Sequence, residues 1–176
     1  LALGLCWLAQ SPAVAQRAYP VAALKAAMIQ KIAAFIRWPA HGRSGPSFVL
    51  AVLGDSDLGA RLRFMYQDQP LGGRAVAVVD VAESAQLPEC DALFIGAPFA
   101  QSAEAVLRKL ARKPVLTLGD TPGLAQRGVA VNLFVDAARR VRFEVNRAAI
   151  ESVGLSASFQ LLSFAVLVVG TGGGKP

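Results

Sequence analysis

Between Phe48 and Leu53 the chain is apolar without a break, FVLAVL, and the run stops at the turn residues Gly54-Asp55-Ser56-Asp57. A short continuous apolar run bounded by turn signals predicts a strand covered on both faces, as in a parallel sheet. Asp91 to Ile95 (DALFI) and VLTLG after Pro114 repeat the pattern, and Arg74 to Val81 alternates weakly as a further strand. Helical spacing separates these runs. From Tyr19 to Arg37, Val21, Leu24, Met28, Ile32 and Phe35 recur at three- and four-residue steps, and Pro39 stops the helix. Leu58 to Tyr66 reads as a short helix. Gln101 to Arg112 reads as another, with Ala105, Leu107, Leu110 and Ala111 on its apolar side.

The texture changes near the C-terminus. Val129 to Val135 and Arg140 to Val145 are joined by DAAR alone, too short for a parallel crossover and right for a hairpin. Asn146 then caps a short helix that stops at Gly154, and a second helix is predicted from Ser156 to Val168. The pattern predicts a single compact α/β domain, residues 19–168. Its mixed, mostly parallel sheet is flanked by helices and ends in an antiparallel hairpin and two C-terminal helices. Residues 169–176 read as a flexible tail.

Composition adds a compartment. LALGLCWLAQSPAVAQ is an apolar run followed by small residues, and Ala13-Val14-Ala15 suits signal-peptidase cleavage. Residues 1–15 are read as a signal peptide whose charged start would precede Leu1. Cleavage after Ala15 then delivers the chain to the periplasm. Leu5 before Cys6 argues against a lipid-attachment site. One cysteine, Cys90, would remain, so no internal disulfide is expected, and a buried thiol is the favoured reading over an intermolecular one. No later apolar run approaches the ~20 residues of a membrane span, so the mature chain is not expected to be membrane-embedded. The net charge of +6 invites a nucleic-acid partner. The basic residues are spread out, however. The densest group, Arg108, Lys109, Arg112 and Lys113, lies at a helix end without interleaved aromatics, so no nucleic-acid partner is expected.

Candidate chemistry is sparse. GTGGGK lacks the first glycine of a phosphate loop, and Pro176 follows its lysine. His41, the single histidine, sits in a Gly/Pro loop with no serine elbow elsewhere. Asp55 and Asp57 are explained by a turn and helix cap, so neither metal nor cofactor is expected. In RFEVN, Val141, Phe143 and Val145 should face the core, with Arg142 and Glu144 paired on the other face and Asn146 capping a helix. A paired carboxylate is held ionised, the reverse of what a general acid needs, so no catalytic residue is assigned. Were the chain an enzyme, Asp55 and Asp120 at strand ends would be the residues to test. A ligand reading places its crevice at the same ends, near Gly54-Asp55, Gly96-Ala97 and Gly119-Asp120.

Taken in order, the helix ending in F-x-x-W-P, the strand ending in G-D, CDALFIG and RFEVN resemble the YfiR-like family of bacterial periplasmic proteins. The resemblance runs from about Leu24 to Ala165. The family positions fall at Phe35, Trp38, Pro39, Gly54, Asp55, Cys90, Arg142, Phe143, Glu144 and Asn146. The resemblance implies a non-catalytic, dimeric regulator. Its partner would be the periplasmic domain of an inner-membrane diguanylate cyclase or related sensor, and its output lower cyclic di-GMP and less biofilm. Many relatives carry a cysteine where this chain has Ala51, which implies that redox control through a disulfide to Cys90 is absent here. Trp38, Phe159 and Phe164 are the candidate interface residues, because aromatics supply large contact area. A small-ligand sensor acting on another membrane protein is the alternative.

Overall fold

The computed structural model describes residues 21–40, 45–138 and 140–168. In chain order the elements begin with α1 (Val21–Ala34), β1 (Ile36–Arg37), β2 (Ser47–Leu53), α2 (Ser56–Tyr66) and β3 (Ala75–Val81). The middle of the chain forms β4 (Ala92–Ile95), α3 (Ala103–Lys109), β5 (Leu116–Gly119) and β6 (Val131–Val135). It ends with β7 (Val141–Asn146), α4 (Arg147–Ser152), β8 (Ser156–Ala157), α5 (Phe159–Phe164) and β9 (Val166–Val168). Among the described residues, seven strands form one sheet in the order β3-β2-β4-β5-β6-β7-β9. All neighbours are parallel except β6 and β7, which form the antiparallel hairpin.

The unbroken apolar runs become the sheet's centre because both faces are covered there. On one face Leu50, Val52, Phe94 and Leu118 meet Ile29 and Ile32 of α1 and Leu58 and Leu62 of α2. On the other, Ala51, Leu53, Leu93 and Ile95 meet Ala103 and Val106 of α3, with Leu124. Each large side chain buried there contributes about 1.5–3 kcal/mol. Asp55 caps α2 by accepting from the Leu58 N–H at 3.0 Å, and Asn146 caps α4 by accepting from the Ala149 N–H at 2.9 Å. Gly154, with φ +75°, ends the turn after α4.

Three expectations are corrected. The helix predicted to Arg37 ends at Ala34, because Ile36 and Arg37 pair with Ala157 and Ser156 as a separate two-stranded sheet. The helix predicted over Ser156–Val168 divides into β8, six residues of α5 and β9. Its all-round apolar character reflects two structures, since Val166 continues the sheet beside Glu144 while the Ser158 hydroxyl caps α5 at Leu161. Tertiary pairing there overrides a helical reading of β-branched residues. In α3 the stripe is Ala103, Val106 and Leu110, whereas Ala105 and Ala111 are exposed. The expected signal peptide, His41 and the tail 169–176 lie outside the described residues. Among the described residues no helix is long and apolar enough to cross a membrane.

Candidate functional site

The aromatic end of α1 is held from across the fold. The Trp38 indole Nε1–H donates to the Asp91 carbonyl at 3.1 Å, and its ring meets Phe48 edge-on, centroids 5.1 Å apart. The buried Asp91 carboxylate accepts from the Val49 N–H at 2.7 Å and from the Arg74 guanidinium at 3.2 Å. Arg74 also stands over the Phe48 ring, 5.8 Å from its centroid. A buried carboxylate requires such partners, so Trp38, Asp91 and Arg74 form a latch joining α1 to the start of β2 and β4. Trp38 is thereby placed as a packing residue, with Pro39 beside Gly154. Cys90 is a buried thiol among the side chains on the α3 face. The parallel register sets Ala51 opposite Leu93.

The strand-end glycines are closely packed. A Cβ on Gly54, where φ is +77°, would lie 2.7 Å from the Phe99 ring. One on Gly96 would lie 2.8 Å from the Leu53 carbonyl oxygen, and one on Gly119 2.5 Å from Leu124. Asp55 is engaged as a cap, Asp57 lies 3.8 Å from Arg61, and Asp120 is paired with Lys25 of α1.

The RFEVN row resolves into separate roles. Phe143 and Val145 are buried, and Arg142 and Glu144 share the opposite face. The expected Arg142–Glu144 pair gives way to cross-strand partners. Glu144 accepts from the Asn132 amide at 3.2 Å, and Arg142 approaches Asp136 at 4.0 Å. Residues two apart along one strand are ~6.6 Å from each other, farther than a cross-strand neighbour. The Arg140 N–H, aided by its guanidinium, holds the Asp136 carboxyl below its ordinary value of 3.8. Asn146 also donates through Nδ2 to the Ala125 carbonyl at 2.8 Å, tying the hairpin to the turn before β6.

A wide opening lies where no local sequence pattern marks it, because three distant segments build it. Met28 and Ile32 of α1, Phe35 just after it, Phe143 of β7, and Leu161 and Phe164 of α5 line a groove of about 860 Å³. Among the described residues its charged lining, Lys31 and Arg142, is cationic. On its rim Phe164 is 71% exposed, and Phe159, one helical turn and more away on α5, is 87% exposed. Phenylalanines so exposed on an apolar rim mark a recognition surface more readily than a core. The candidate residues thus divide. Phe35, Arg142, Phe143 and Phe164 meet at the groove, Phe159 flanks it, and Trp38, Gly54, Asp55, Cys90, Glu144 and Asn146 serve the frame. Met28 and Lys31 belong to the groove too, and a lysine interrupting the apolar α1 pattern is the only trace they leave in the sequence.

Comparison with known proteins agrees with this frame. A conserved domain protein from Vibrio cholerae matches with TM-score 0.57 at 14% identity, covering 83% of this chain and 59% of that one. The ABC domain in complex with L-Trp from Streptococcus pneumonia matches with TM-score 0.50 at 12% identity, covering 69% and 55%. At such identity the likeness is one of fold, and the chain spans less than two thirds of either structure. No curated protein matches the chain. The YfiR/HmsC-like family, whose theme is periplasmic regulation of cyclic di-GMP signalling rather than catalysis, matches residues 22–166, and the chain belongs to it.

Proposed function

We propose that this protein is an exported, non-catalytic repressor that docks onto the periplasmic part of an inner-membrane diguanylate cyclase and lowers cyclic di-GMP. The observation that carries the reading is the open apolar groove with cationic lining and exposed Phe164 on its wall, with Phe159 exposed on the same helix, on a protein whose strand-end carboxylates are spent on caps and ion pairs. Repression works through differential affinity. The protein binds the inactive state of its partner more tightly and shifts the population by that difference alone. Family membership supports the signalling output, and the N-terminal apolar run with Ala13-Val14-Ala15 supports export.

Deleting the gene and measuring cyclic di-GMP tests the reading. A rise, reversed by the exported protein and not by a version lacking residues 1–15, is the expected result. An unchanged level would overturn it.

A further inference from the structure

Among the described residues, part of β7 is unpaired on its outer side. The Asp136 N–H donates to the Arg140 carbonyl and the Asn146 N–H to the Ala130 carbonyl, each at 2.9 Å. Even-numbered residues of this strand therefore bond to β6, and the alternation turns the N–H groups of Val141 and Phe143 away from it. On that outer side β9 pairs with Glu144, Val145 and Asn146, and among the described residues it reaches no further. Val141 and Phe143 lie in the groove wall between α1 and α5.

We propose that the groove receives an extended segment of the partner protein, apolar and acidic in alternation, which adds to the open half of β7 as a further strand. This rests on the regulator reading and names the chemistry recognised at its docking surface. An added strand satisfies the outward N–H groups with its carbonyls, places alternate apolar side chains against Phe35, Phe143 and Phe164, and sets its carboxylates toward Lys31 and Arg142. Among the described residues Arg142 meets Asp136 alone, at the limit of an ion pair, so its charge is available to a guest. A second copy of this chain fits poorly. Two-fold pairing about the open half of β7 would set Arg142 against Arg142, and like charges directly opposite are destabilising. A small anionic amphiphile would answer the cations and the apolar walls but leave the backbone donors unmet.

The test uses the full mature chain and a panel of capped heptapeptides alternating valine or leucine with glutamate. Matched peptides carry N-methyl groups on alternate amides or lysine in place of glutamate. Binding is read by calorimetry, and amide hydrogen exchange is followed at Val141 and Phe143. The expected result is that a glutamate peptide binds and slows exchange at both amides. N-methylation on the ladder side, or lysine for glutamate, then weakens binding by about tenfold or more. The paired Lys31→Glu and Arg142→Glu variant, both sites exposed, should come to prefer the lysine peptide. Failure of the whole panel to bind overturns the proposal, as does binding indifferent to N-methylation, which assigns the groove to side chains or an amphiphile. Protection of the same amides by self-association without peptide gives the face to a second copy and also overturns it. A strain whose cyclic di-GMP still rises on deletion separates any of these failures from failure of the regulator reading.

Discussion

At the scale of single residues, the fold is fastened by polar contacts that reach across it. Removing Asp91 leaves Arg74 facing a buried gap with no carboxylate, so Asp91→Ala should cost about 3 kcal/mol. Trp38→Phe keeps the ring against Phe48 but loses the indole donor, and should cost about 1 kcal/mol. Urea denaturation checks both. Tyr66 behaves in the opposite sense. Burial pushes its hydroxyl from 10.0 up to about 12, and among the described residues the oxygen has no hydrogen-bond partner. Its folded-state pKa is raised, so the stability it lends is full below pH 10 and lost as the pH rises toward 12. Tyr66→Phe should hold its melting temperature across that window while the parent falls. A parent whose melting temperature falls no faster than the variant's would refute this. The alkalinity of Tyr66 was not legible in the sequence, nor was the role of Trp38, whose acceptor lies 53 residues away along the chain. Side-chain partners at that separation leave no local pattern to read.

At the scale of elements, legibility followed the number of faces an element buries. β2, β4 and β5, covered on both faces, announced themselves as unbroken apolar runs, and the four-residue link announced the hairpin. The stretch after Gly154 misled because β8, α5 and β9 are each too short to show a period, and together they imitate one apolar helix. That same brevity leaves α5 with a single buried residue, Leu161, and sets Phe159 and Phe164 outward. The double substitution of both phenylalanines to serine should therefore shift stability by no more than about 0.5 kcal/mol per site. Thermal melts of the purified variant check this, and a loss of several kcal/mol would mean that the two rings pack in the folded chain.

At the scale of the whole molecule, a sheet protected along its centre is paired over only part of β7's outer side among the described residues, and the groove forms where that stretch passes between two helices. The groove's buried floor belongs to the core, whereas Phe159 and Phe164 stand exposed and can change without unfolding the protein. The family resemblance was readable because short local motifs carry it, Phe35, Arg142 and Phe143 of the groove among them, whereas the groove was not, since α1, β7 and α5 contribute to it from both ends of the sequence. The account's central claim is that repression acts through this face. Its most direct test is cyclic di-GMP in the deletion strain, restored with the exported parent or with the exported Phe159→Ser, Phe164→Ser variant at equal periplasmic abundance. The account predicts that the parent returns cyclic di-GMP to its original level and that the folded variant leaves it high. Full repression by the variant would contradict it.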